Sequence, residues 1–208
     1  MEPDGRKLSG SMKTLIDTHS NLYCVIGHPV GHSLSPLMHN RAFQAIGYPG
    51  VYVAFDVTDL AGVLTGIRAL GISGASVTLP HKVSAMDYID EIDEDARSIG
   101  AVNTIINRDG RLVGRNTDGT GAVRALSEKV DISGKDVVVV GAGGAARAIG
   151  YGILKHGGRL NIVNRTKEKA DALAGELGSR SSPFQQLADL PCDILINTTS
   201  VGMHPGID

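Results

Sequence analysis

The chain has 208 residues, of which 42% are hydrophobic and 20% charged, and carries a formal net charge of −2 at pH 7. That composition suits an ordinary globular protein with enough length for one large core or two modest ones. Its 20 basic residues form no dense run, which argues against nucleic acid or an anionic membrane as a partner.

No apolar stretch approaches the roughly 18 residues that would span a bilayer. The N-terminal MEPDGRKLSGSMK has acidic and polar residues where a signal peptide has a basic start and an apolar core, so a cytoplasmic protein is expected. Cys24 and Cys192 lie far apart with no metal-like spacing. Neither a disulfide framework nor a metal site is expected, and both thiols are read as small buried apolar groups.

From Leu22 the chain alternates strand and helix. LYCVIG reads as a strand. In the IGHPVGHSLSPLMHNRAF that follows, Pro36 suits the first position of a helix and Gly47 its left-handed close, which predicts a helix over 36–46 with Ser35 as N-cap. Ser33 and Ser35 beside that helix start form a small hydroxyl-lined niche suited to a carboxylate or phosphate. Plain capping by Ser35 explains the same residues, and both uses stay open on the local sequence.

VYVAFDV reads as the next strand, 59–70 as a helix, GASVTLP as a third strand and 81–89 as a short helix. In AVNTIINRDGRLVGRN, Asp109-Gly110 is the turn that pairs two strands in a hairpin. The rhythm predicts a mainly parallel α/β unit with a mixed edge. Residues 117–130 form an amphipathic helix, with Val123, Leu126 and Val130 at helical spacing, that serves as a hinge. Beyond it come KDVVVVGAGGAARAIGYGILKHG, RLNIVNRT, a helix over 167–177 and DILINTTS, giving three clear strands. The expected organisation is two α/β domains: residues 13–117 for substrate and 118–208 as a Rossmann-type nucleotide-binding unit shorter than the usual six strands.

In VVVVGAGGAARA a valine strand runs into Gly141, Gly143 and Ala146, a G-x-G-x-x-A pattern. The first glycine allows the tight turn, the second lets backbone approach a pyrophosphate, and a small third residue lets helix and strand pack closely. At the end of the next strand NAD binders place a carboxylate on the ribose 2′-hydroxyl; here Asn164, Arg165 and Thr166 stand there, with Lys167 and Lys169 beyond. A carboxylate would repel a 2′-phosphate, whereas guanidinium, ammonium and hydroxyl groups pair with it, so NADP is favoured over NAD. Lys82, Asn103 and Asp118 stand at strand ends or a helix start, each with a commonplace alternative as a surface, turn or capping residue.

GHPVGHSLSPLMHN, SVTLPHK, GAVNT, NTDG, GAGGAA, NRT and NTTSVGM occur in the order found in shikimate dehydrogenases, and the resemblance runs from Leu22 to Met203. It implies an NADP-dependent reduction of 3-dehydroshikimate to shikimate in aromatic amino acid biosynthesis. It also implies that Ser33 and Ser35 hold the substrate carboxylate and that Lys82 and Asp118 are the catalytic pair. Thr78, Asn103 and Asp118 would contact the ring hydroxyls. Gly143, Gly144, Ala145, Asn164, Arg165 and Thr166 would contact NADP, and Thr198 is similar to a residue near the nicotinamide side. Gly141, Ala146 and Lys169 are taken as further cofactor contacts. Ser76 departs from the asparagine common in the family, at a position that grips the carboxylate or a nearby hydroxyl. Family chains continue through further strands and a terminal helix, so a shortened chain with an exposed apolar sheet edge is expected. A quinate/shikimate dehydrogenase using NAD(P), or a non-catalytic ligand-binding relative, is the alternative. A homodimer is compatible with either.

Overall fold

Apolar residues, among them the valine run over 137–140, build most of the strands, and capping residues or glycines delimit most of the helices. The computed structural model describes residues 16–202. The expected start of the first domain at residue 13, its N-terminal segment, Met203 and the end at 208 lie outside the described residues.

The first sheet contains β1 (Asn21–Gly27), β2 (Gly50–Asp56), β3 (Gly74–Val77), β4 (Glu91–Ile92), β5 (Thr104–Arg108) and β6 (Arg111–Arg115), in the order β2-β1-β3-β5-β6-β4. β1 is parallel to β2 and β3, whereas β5 is antiparallel to β3 and β6. This is the mixed edge anticipated from the alternation. Asp109 and Gly110 both have positive φ, 52° and 87°, as the two-residue hairpin requires. The crossover helices are α1 (Ser35–Ile46) and α2 (Leu60–Ala69), and α3 (Glu94–Ile99) follows β4. Asp59 caps α2 by accepting from Gly62 N–H at 2.9 Å, and Ile26, Leu64, Ile67, Ile105 and Leu112 fill the core below.

Three expectations are corrected. Ser35 is the first residue of α1 and not its N-cap; Leu34 holds that position without a side-chain bond. Ser33 Oγ instead accepts from Ser35 N–H at 3.3 Å, and among the described residues the Ser35 hydroxyl has no partner. The helix expected over 81–89 is a short 3₁₀ turn, Ser84–Tyr88. Cys24 is fully buried but Cys192 is exposed, because it sits in the surface loop after Pro191 that leads into the last strand.

The second sheet is four parallel strands in the order β10-β7-β8-β9: β7 (Asp136–Val140), β8 (Arg159–Asn164), β9 (Arg180–Pro183) and β10 (Ile194–Asn197). The expected count of three strands missed β9, whose RSSP sequence carries no apolar alternation. Helices α4 (Asp118–Ser127), α5 (Gly144–Lys155) and α6 (Lys167–Leu177) surround it, and Val137, Val139, Ala146, Ile153 and Ile162 form the core. Among the described residues no helix is long and apolar enough to cross a membrane.

The two sheets are joined where α4 crosses α5. A Cβ on Gly119 would collide with the carbonyl oxygen of Ala148, and one on Gly152 would lie 3.1 Å from Gly119 O. Two glycines therefore let the helix backbones touch. Alongside, Ile99 and Ala101 of the first unit bury against Ala148 and Tyr151, and Asp95 accepts from Lys155 Nζ at 2.7 Å and Tyr151 OH at 3.2 Å. Gly119→Ala is expected to destabilise the protein by about 1–3 kcal/mol through overpacking. Gly121→Ala, on the exposed side of the same helix with open space around it, should stabilise by about 0.5 kcal/mol. Urea unfolding midpoints of the two variants check both signs.

Candidate active site

The carboxyl ends of β1 and β3 face the starts of α1 and α4 across a cavity of about 790 Å³. Ser33, Ser35, Ser76, Thr78, Lys82, Asn103 and Asp118 all line it. Open parallel sheets bind ligands at this end, because the strands stop there and the connecting loops diverge.

Lys82 stands on the loop after β3, and Asp118 is the first residue of α4. Lys82 Nζ donates to Asp118 Oδ2 at 2.5 Å, with side-chain exposures of only 17% and 30%. Asn103 Nδ2 donates to the other oxygen, Asp118 Oδ1, at 2.6 Å. Both carboxylate oxygens are thus occupied and the ammonium is held at the cavity wall. Asn103 is itself buried and oriented: its Oδ1 accepts from Thr117 N–H at 3.0 Å and from Thr104 Oγ1 at 2.8 Å. Asn116, also buried, accepts from Asp118 N–H at 3.0 Å and donates to Ala101 O at 2.9 Å, tying the start of α4 to the first unit. A buried ion pair costs desolvation, and full use of its oxygens by donors is what makes such an arrangement tolerable.

Around the ammonium, the hydroxyls of Ser33, Ser35, Ser76 and Thr78 supply donors for an acid or a polyol. Sequence reasoning overlooked several residues that line the same cavity: His28, His32, Met38, His39, Thr117 and Ser200. His39 was discoverable, since it lies four residues after Ser35 and so on the same face of α1. Burial lowers the His39 pKa, favouring its neutral form. Ser200 was not, because it belongs to the second unit and reaches the cavity only through the relative placement of the two sheets.

The nucleotide motif sits at the edge of this cavity. Gly141 has φ 122° and packs against Thr198, whose Oγ1 donates to Val140 O at 2.7 Å. A Cβ on Gly143 would meet open space, and no side chain caps the twelve-residue helix α5 at its start. The N–H groups of that first turn, around Gly143, Gly144 and Ala145, are therefore free to receive a pyrophosphate, and the residues present fit a dinucleotide. Ala146 is completely buried in the core, so its expected contact with the cofactor is corrected to a packing role: it lets α5 approach the sheet. At the end of β8, Asn164 Nδ2 donates to Thr166 O at 2.9 Å and closes the turn. Arg165, Thr166 and Lys169 are exposed there, whereas Lys167 is taken up by Asp171 at 2.6 Å. A Cβ built on Gly144 would lie 3.6 Å from Lys82 Cδ, so the phosphate-binding turn and the lysine stem are neighbours.

Residues 25–105 match the family model described as shikimate dehydrogenase substrate binding domain, and residues 124–203 match that for shikimate / quinate 5-dehydrogenase. The shikimate dehydrogenase (NADP(+)) of Geobacillus kaustophilus is 51% identical over 197 residues, covering 90% of this chain and 71% of that protein. A crystal structure of a shikimate dehydrogenase in complex with NADP+ superposes with a TM-score of 0.90 at 46% identity, covering 96% of this chain and 73% of the other. The shikimate 5-dehydrogenase of Thermus thermophilus, in complex with NADP(H) and shikimate, gives 0.81 at 39% identity, covering 88% and 69%. With both of its sheets matched and the expected residues gathered at one cavity, this chain belongs to the shikimate dehydrogenase family.

Proposed function

We propose that the chain catalyses the NADP-dependent, reversible reduction of 3-dehydroshikimate to shikimate, a step in aromatic amino acid biosynthesis. The observation that carries this reading is the Lys82–Asp118 pair, set in the same cavity as Ser33 and Ser35 and beside the turn that starts α5. NADPH, when bound, supplies the hydride. The chain's own residues manage charge and position. The serine hydroxyls and Thr78 hold the acid and a ring hydroxyl, which fixes the ring in the cavity. As the ketone becomes an alcohol, negative charge grows on its oxygen. Lys82 Nζ offsets that charge and gives the proton, while Asp118 keeps the ammonium oriented. In the reverse direction Lys82 takes the proton back.

Preference for NADP rests on Arg165, Thr166 and Lys169, exposed at the end of β8 where a carboxylate would select NAD. We place the boundary between substrate and nucleotide units at Asp118, since α4 crosses α5 so closely that it belongs with the second sheet. A cytoplasmic setting is supported by two widely spaced cysteines that are both free thiols, and a homodimer by the exposed apolar side chains of Leu37 and Ile46 on α1.

Lys82→Ala is expected to lower kcat for NADPH oxidation with 3-dehydroshikimate by about 10²–10⁴-fold with NADP affinity unchanged. A wild-type rate in that variant would remove the lysine from the mechanism. Arg165→Ala should weaken NADP binding by about tenfold or more and leave NAD binding nearly as it was, which fluorescence titration of the two cofactors can measure.

A further inference from the structure

We infer that Tyr52 is a positioning residue for substrate recognition: it donates to one lone pair of the Ser76 hydroxyl and thereby turns that hydroxyl's own proton toward the cavity. The inference rests on the shikimate reading above and assigns a role to a residue outside the expected site.

The geometry is a reach across a strand. Tyr52 lies on β2 and Ser76 on β3, with β1 between them. The phenol spans the middle strand and donates to Ser76 Oγ at 2.7 Å. Its placement is rigid. The Asn40 side-chain amide grips the Tyr52 backbone twice, donating to its carbonyl at 2.8 Å and accepting from its N–H at 2.9 Å. The His39 ring stacks on the Tyr52 ring with centroids 4.3 Å apart and planes 13° apart. Tyr52 is 5% exposed, and burial, the largest influence, raises its phenol pKa, so it remains a protonated donor.

A serine hydroxyl has one proton to give and lone pairs to receive. With the Tyr52 proton directed at Ser76 Oγ, the serine acts as acceptor on that side. Among the described residues its own proton has no acceptor, and Ser76 lines the substrate cavity. The proton therefore goes to an acceptor oxygen of the bound acid. A ligand that presents only a donor at that point could use only the second lone pair and would leave the Ser76 proton without an acceptor, so it is disfavoured. An asparagine at position 76 carries its own N–H donors and would have no need of the tyrosine; serine, being ambivalent, needs its direction set.

Calorimetric titration of shikimate into the wild type and variants tests this. Tyr52→Phe keeps the ring and its stacking, and is expected to raise Kd about fivefold. Ser76→Ala should raise it at least as much, and adding Tyr52→Phe to Ser76→Ala should cost nothing further. In a Ser76→Asn background, Tyr52→Phe should likewise have no effect. NADP affinity serves as the control and should be the same throughout. Equal Kd for Tyr52→Phe and the wild type, or losses that multiply in the double variant, would overturn the inference. If the phenylalanine variant fails to fold, the serine variants decide alone: Ser76→Ala binding as tightly as the wild type overturns it, and weak binding by Ser76→Ala restored by Ser76→Asn supports it. A wild type that binds NADP but not shikimate brings down the functional reading itself, and this inference with it.

Discussion

The ion pair between Lys82 and Asp118 is the constraint on which the site depends, because its two members come from different parts of the fold. Lys82 follows β3 of the first sheet, and Asp118 opens the helix that packs on the second. Removing two charges from water costs several kcal/mol per ion, and their attraction recovers this only with good geometry and further donors. Asn103 supplies the further donor and Asn116 holds the start of α4. The pair is therefore better understood as a device for placing an ammonium than as a source of stability. Under the proposed function, its value lies in a proton donor that is already oriented when charge develops on a carbonyl oxygen.

That placement is transmitted by close packing. Gly119 follows Asp118 immediately, and it is the residue at which α4 touches α5. The same α5 begins at the glycine turn suited to a pyrophosphate, and its Gly144 lies against the stem of Lys82. One helix crossing thus sets the distance between the Ser33 and Ser35 hydroxyls, the Lys82 ammonium and the glycine turn before α5. A well-packed contact of this kind transmits a displacement with little absorption, since packed interiors have low compressibility. The Asp95–Lys155 pair on its rim is more exposed and contributes orientation more than energy.

Substrate hydroxyls can be held by serines and threonines in either sense, so a site made of them needs something to set the direction of each proton. Ser33 receives the Ser35 N–H, and Ser76 receives the Tyr52 hydroxyl. In both cases a neighbour donates to one lone pair of the oxygen, which favours turning that hydroxyl's own proton elsewhere.

Much was legible from the residues alone, for local reasons. Asp109-Gly110 determined a hairpin because its turn demands two positive φ values, Gly47 closed α1 with the left-handed conformation read for it, and the valine run before Gly141 determined a buried strand entering a turn suited to phosphate. The seven short motifs also pointed to residues that the fold gathers at one cavity and at the glycine turn beside it, since each motif lies within a few positions. Where local signal was thin, reading failed: β9 is a polar strand held by its neighbour, and α3 is a single capped turn and a half. What only the tertiary structure decided was every relation between distant segments. Strand order carried Tyr52 to Ser76, the crossing of α4 and α5 brought Ser200 to the cavity, and Cys192 stayed outside the core because its loop does. Local rules act over one turn or one strand pair, whereas hydrogen-bond direction and burial depend on which surfaces the packed sheets bring together.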